Sequence, residues 1–256
     1  MFSSCFSKQH VYKSMWQKTP VNIYGNEKYV PAQFFTDADT KVNYSVSNDS
    51  NYLYIFLETN YDATVSGITQ RGLQIWIDTT GKKNHQVGIL CPLPQKPQYP
   101  DGTNQRQKRN WNTGNTDTTL KNNTHRLFLE RTKQMHVSGF KTLPDGLIEL
   151  PDTLGINLGV IWDNSNDLEF ETAISLKSFL KYRLLPSDSS KIIDISFNFT
   201  SIPKRKHNDG SGVYPAFGLG MGIMGVMMGG GNGGSGSDEP EAETIWKPFH
   251  LSTIPK

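Results

Sequence analysis

Two short segments of the chain combine an indole ring with hydrogen-bonding side chains. They are Asn110-Trp111-Asn112, in a polar stretch, and Trp162-Asp163-Asn164, at the end of an apolar run. An indole offers an apolar face, and amides or carboxylates offer hydrogen bonds, a combination typical of a site that binds a small polar ligand. Tryptophans are on average highly buried, so packing is the alternative for each segment. Trp76, flanked by Ile75 and Ile77, is predicted to face the core.

Catalytic chemistry would need ionisable groups at productive spacing. Glu169 and Glu171 share one face of a predicted strand, about 7 Å apart. Both also fit as solvent-facing residues between Leu168, Phe170 and Thr172. The six histidines are scattered without the spacing of a nucleophile–base pair or a metal site. We therefore predict a protein that is not an enzyme, with no catalytic residues, no metal and no cofactor.

Composition excludes several classes of protein. The chain has 256 residues, 36% of them hydrophobic, and a net charge of only +2. No segment approaches the roughly 20 apolar residues of a transmembrane helix, and a nucleic-acid partner is not expected at this charge. The two cysteines, Cys5 and Cys91, make no disulfide framework or zinc motif. Cys91 is predicted to be a small buried core residue.

The amino-terminal segment resembles the end of a bacterial lipoprotein signal. Phe2-Ser3-Ser4 precedes Cys5, and polar residues follow it, as at a cysteine that becomes the lipidated first residue. The apolar stretch that precedes such a cysteine is absent, so either the true start lies upstream or the resemblance is accidental. With Cys5 lipidated, residues 1–15 are a tether, and we expect an outer-membrane lipoprotein of a bacterial cell envelope.

Alternating apolar and polar residues predict a succession of strands. Residues 41–46 and 52–57 form the clearest hairpin, around the turn-rich segment 47–51. One short helix is expected over residues 176–180. The fold class is therefore all-β: an antiparallel two-sheet β-sandwich over residues 16–256. The further predicted strands cover residues 73–78, 87–90, 155–162, 168–174, 192–199 and 243–251.

Two long loop insertions interrupt this pattern, near residues 92–123 and 217–241. The second alternates glycine with apolar residues, which is unusual for a linker. It is either a disordered insertion or an apolar loop that contacts lipid or a partner protein. The methionines that would make such contacts are Met221, Met224, Met227 and Met228.

The order of these segments resembles family 9 carbohydrate-binding modules and their DOMON-like relatives. The resemblance implies a two-sheet β-sandwich, with sugar bound by aromatic side chains, or with sugar or haem bound in the DOMON-like relatives. No spacing of histidine or methionine here is diagnostic of haem. The residues that carry the resemblance are Trp16, Pro20, Gly25-Asn26, Val42–Asp49, Leu53–Ile55, Gly72–Asp78, Gly81–Lys83 and Glu169–Leu176.

Two functions follow as hypotheses. The first is a non-catalytic, glycan-binding module of the cell envelope. The alternative is an accessory structural lipoprotein subunit of an outer-membrane protein complex, which binds protein partners through its loops. A groove with exposed aromatic faces favours the first, and loops ordered only against another protein favour the second.

Overall fold

A computed structural model describes most of the strands and the turns between them. The described residues are 10–23, 30–94, 125–151, 155–163, 165, 167–180, 182, 184–185, 188, 191–199 and 243–253. Several predicted site residues lie outside these ranges: Cys5, Asn110, Trp111, Asn112, Asn164, Met221, Met224, Met227 and Met228.

The described strands form two sheets. The seven-stranded sheet has the order β1 (Tyr12–Lys13), β13 (Glu243–His250), β12 (Ile192–Phe199), β6 (Leu73–Asp78), β7 (Val87–Cys91), β8 (Gln134–Ser138), β9 (Gly146–Glu149). The six-stranded sheet has the order β10 (Ile156–Trp162), β11 (Leu168–Ser175), β5 (Tyr52–Thr59), β4 (Val42–Asn48), β2 (Met15–Trp16), and β3 (Phe35–Asp37) also pairs with β4. The predicted all-β sandwich is confirmed.

Two details of that prediction are corrected. Strand β1 pairs in parallel with β13, and β2 pairs in parallel with β4, so both sheets are mixed. The predicted short helix is present as α3 (Leu176–Leu180), but it is preceded by α1 (Asp62–Arg71) and by helical residues 125–130, here called α2. A single turn of 3-10 helix, Arg131–Lys133, follows α2.

Helix α1 forms although several of its residues have low helix propensity. Its β-branched residues and Gly67 have low helix propensity, so the apolar pattern alone does not predict it. Tertiary contacts compensate, because Ile68 is buried in the core and the Thr64 hydroxyl donates to the carbonyl of Thr40 at 2.6 Å. The helix ends at Gly72, whose φ of 87° is accessible to glycine and whose N–H bonds the Ile68 carbonyl.

The hydrophobic core lies between the two sheets. Tyr44 of β4 meets Phe197 of β12 across it, with ring centroids 5.4 Å apart. Cys91 is buried there, as predicted, and burial raises the pKa of its thiol to about 12. The core-facing side chains of the seven-stranded sheet include Ile75, Ile77, Ile89, Val137, Ile193, Ile195, Phe197 and Phe249. Because side chains alternate along a strand, the outer face of the seven-stranded sheet carries the residues between these core positions: Gln74, Trp76 and Asp78 of β6, Asp194, Ser196 and Asn198 of β12, and Trp246 of β13.

Aspartates organise the turns at the strand ends. In the predicted turn between β4 and β5, the Asp49 carboxylate accepts bonds from the backbone N–H groups of Asn51 and Tyr52 at 2.6 and 2.7 Å. Its second oxygen accepts the Tyr54 hydroxyl at 2.8 Å. This local pairing of an aspartate with backbone two and three residues ahead confirms the predicted hairpin.

Candidate binding face

The outer face of the seven-stranded sheet carries two tryptophans in one row. Trp246 of β13 lies opposite Ser196 of β12, and Ser196 lies opposite Trp76 of β6. Adjacent strands are about 4.8 Å apart, so the two indoles originate about 10 Å from each other. Both indoles are half-buried. We call Trp76, Ser196 and Trp246 the tryptophan row.

Ser196 lies at the centre of this row. Its side chain is 0% exposed, and no described residue hydrogen-bonds its Oγ. A buried hydroxyl without a partner is energetically unfavourable.

Gly88 and His85 shape the row. Gly88 of β7 is the register partner of Trp76, and a Cβ placed on it would lie 2.3 Å from the Trp76 ring. Glycine therefore leaves the space in which the indole lies across β7. His85, in the turn after β6, contacts the Trp76 and Trp246 rings at centroid distances of 4.8 and 5.6 Å. These contacts join the three rings into one aromatic surface, and the His85 side chain is exposed to solvent.

Amide side chains flank the row on one side. Asn198 of β12 and Gln74 of β6 are register partners, and the Asn198 Nδ2 donates to the Gln74 Oε1 at 3.3 Å. The Asn198 Oδ1 is buried, and the described residues supply it with no hydrogen-bond donor. This oxygen is a second unmatched polar atom beside the indoles.

Carboxylates flank the row on the other side, where Asp78 of β6 pairs with Asp194 of β12. One Asp78 oxygen accepts the Thr80 N–H and hydroxyl at 2.8 and 2.7 Å, and the other accepts the N–H groups of Lys82 and Asn84 at 3.0 Å. Burial raises the pKa of Asp78, but these hydrogen bonds outweigh it and hold the pKa below its usual value. Asp78 therefore organises the turn that follows β6, and that turn carries His85.

Asp194 has a different environment. Its side chain is 5% exposed, and burial together with the nearby Asp78 charge raises its pKa, against the opposing effect of Lys83. No hydrogen bond from a described residue lowers it. The two paired carboxylates therefore differ: Asp78 accepts four hydrogen bonds, whereas Asp194 accepts none from the described residues.

The predicted Trp162 segment lies elsewhere, at the end of β10. The His125 ring stacks on Trp162 at 4.1 Å with an interplanar angle of 3°, and Phe128 contacts it edge-on at 5.8 Å. The Asp163 carboxylate accepts the N–H groups of Ser165 and Asp167, both at 2.8 Å, so it organises the turn after β10. One indole face is thus already covered, and a ligand role for this segment stays a prediction.

The orientation predicted for Trp76 is wrong. Its isoleucine neighbours face the core, so Trp76 itself faces outwards with Gln74 and Asp78. The sequence contained a signal for this orientation, because the polar residues Gln74 and Asp78 lie two positions before and after Trp76 and must share its face of the strand. In β12, Asp194, Ser196 and Asn198 show the same alternation.

The solvent-facing placement considered for Glu169 and Glu171 is also wrong. Their side chains are buried on the outer side of β11. Within the described ranges, no three histidine, cysteine or carboxylate side chains cluster as metal ligands. None of the described helices combines the length and hydropathy that crossing a bilayer requires.

Comparison with known proteins gives only a distant likeness. No protein-family model and no curated protein matches the sequence. A solved family 9 carbohydrate-binding module from Caldicellulosiruptor kristjanssonii, in complex with glucose, is 11% identical, with 75% of this chain and 78% of that chain covered and a TM-score of 0.34. A second structure, in complex with cellotriose, is 9% identical, with 74% and 76% covered and a TM-score of 0.32. At these scores, nothing about the ligand of this chain follows from the likeness.

Proposed function

We propose that this chain is a non-catalytic glycan-binding module whose site is the tryptophan row with its flanking polar groups. One observation carries the proposal: two indoles stand in register on either side of Ser196, a buried hydroxyl that no described residue bonds. The indoles offer apolar faces to sugar C–H groups, and the hydroxyl offers a hydrogen bond to the ring's edge.

The polar atoms favour a glycan over an apolar ligand. Ser196 Oγ and Asn198 Oδ1 are buried without hydrogen bonds from the described residues, and Asp194 accepts none. An apolar ligand would leave these atoms unmatched, at a penalty of about 1–3 kcal/mol each. Sugar hydroxyls both donate and accept, so they can satisfy all three groups.

The carboxylate pair supports binding rather than hydrolysis. A glycosidase needs two carboxyl groups that both reach the substrate. Asp78 is 0% exposed and four donors occupy its oxygens, so it cannot act as a nucleophile or base without dismantling its turn. Only Asp194 of the pair is available to a ligand.

A glycan array followed by calorimetry on the best ligands tests the proposal. We expect binding to at least one glycan class at millimolar concentration or below. Absence of binding to every glycan, with a defined set of envelope proteins co-purifying from membranes, would replace the proposal with the accessory-subunit hypothesis.

The cell-envelope location is part of the same proposal and rests on the sequence around Cys5. We expect the native protein to partition into detergent, and the substitution Cys5→Ala to release it into the soluble fraction. Fractionation of cells that express either form measures this. A distribution that does not change on substitution would contradict the lipid anchor, and Cys91→Ala is the matched control.

A further inference from the structure

The binding face holds more negative charge than the described residues neutralise. Asp78 and Asp194 are register partners, and both are buried. Asp78 is stabilised by four hydrogen bonds. Among the described residues, Asp194 has only the favourable charge of Lys83, whose side chain is exposed. A buried carboxylate without donors or a close cation is unfavourable. A ligand that brings a positive charge would relieve this.

Asp194 is placed to meet a ligand held by the indoles. It precedes Ser196 by two residues on the same face of β12. Its register partners are Asp78 and Pro248, so Trp76 and Trp246 are its diagonal neighbours on the two adjacent strands. Diagonal neighbours in a sheet lie about 7–8 Å apart, within reach of aromatic side chains. A cation at Asp194 would also lie near two indole rings, which attract cations.

We propose that the preferred ligand is a glycan of unacetylated amino sugars, whose ammonium group pairs with Asp194 while its ring stacks in the tryptophan row. This inference rests on the proposed glycan-binding function. A neutral sugar hydroxyl could donate a hydrogen bond to Asp194 but would leave its charge unbalanced. A uronate or a sulfated sugar would add a like charge beside Asp78 and Asp194.

Three β-1,4-linked oligosaccharides that differ only at carbon 2 test this inference. Their substituents are a hydroxyl, an ammonium and an acetamido group, and affinities are measured by calorimetry at pH 6. An amine with a pKa near that of an α-amino group, about 7.7–8.0, is protonated at this pH. We expect the ammonium form to bind at least about tenfold tighter than the hydroxyl form, as for a charge-assisted hydrogen bond.

The substitution Asp194→Asn should bring the ammonium form to the affinity of the hydroxyl form. Burial and the Asp78 charge raise the pKa of Asp194, so its ionised form opposes folding as the pH rises through that pKa. The neutral amide should therefore fold at least as stably at pH 6. Asp39→Asn, an exposed aspartate in the turn before β4, is the control and should leave the preference unchanged.

The outcomes separate this inference from the proposed function. Equal affinity for the hydroxyl and ammonium forms, or a preference that survives Asp194→Asn, overturns the inference and leaves glycan binding intact. Binding to none of the three, with other glycans bound on the array, also overturns it. Failure to bind any glycan overturns the proposed function itself.

Discussion

Replacing Trp76 or Trp246 with alanine is expected to weaken glycan binding about 30-fold, and replacing both should abolish detectable binding. A central aromatic anchor contributes about 2 kcal/mol or more to a binding site, which corresponds to that change in affinity. The two rings stand in register on either side of Ser196 and both contact His85, so a sugar that stacks on this aromatic surface loses apolar contact with each substitution. Calorimetry with the best ligand of the wild-type protein measures the loss.

Trp162→Ala is the matched control for these variants. This tryptophan is also half-buried, but it stacks on His125 and lies outside the tryptophan row. Its removal should leave glycan affinity unchanged. If Trp162→Ala weakens binding whereas Trp76→Ala does not, the site is the Trp162-Asp163-Asn164 segment and the proposed face is wrong. Circular dichroism of each variant confirms that the fold is retained.

Asp78→Ala is expected to lower the free energy of unfolding by about 3 kcal/mol at pH 7. The substitution removes an acceptor of four hydrogen bonds, three from backbone N–H groups of residues 80, 82 and 84. Hydrogen bonds to charged groups contribute about 1.5–3 kcal/mol each, but part of this loss is recovered because the released donors reach water. Chemical denaturation of both proteins measures the difference.

The effect of Asp78→Ala should depend on pH in a defined direction. The folded protein holds the pKa of Asp78 below its usual value, so the ionised group stabilises the fold above about pH 4. Protonation removes that contribution as the pH falls through the lowered pKa. The stability difference should therefore be greatest at neutral pH and shrink in acid. A difference that grows on acidification would contradict this assignment.

Asp145→Ala is the control for the turn effect. The Asp145 carboxylate accepts one bond, from the Gly139 N–H at 2.7 Å, and its side chain is exposed. Its removal should lower the free energy of unfolding by less than about 1 kcal/mol. A loss equal to that of Asp78→Ala would mean that aspartate turns contribute equally whatever their burial.

Sequence patterns predicted the parts of the fold that depend on neighbouring residues. Side chains alternate along a strand, so the apolar residues of β4, β11 and β12 are visible at period two. An aspartate side chain can accept hydrogen bonds from backbone N–H groups two and three residues ahead. The turn at Asp49 could therefore be predicted from residues 47–51 alone. Helix α1 was missed because its stability comes from Ile68 and Thr64 in tertiary contacts.

By itself, the sequence determined the all-β class, the longer strands and the turn at Asp49, because each depends on interactions between residues close along the chain. Only the tertiary structure decided which tryptophans share a face. Trp76 and Trp246 are far apart in sequence, and the register of β12 between β6 and β13 places both beside Ser196. Register depends on the side chains of several strands that pack at once against the opposite sheet, and no local pattern contains that information.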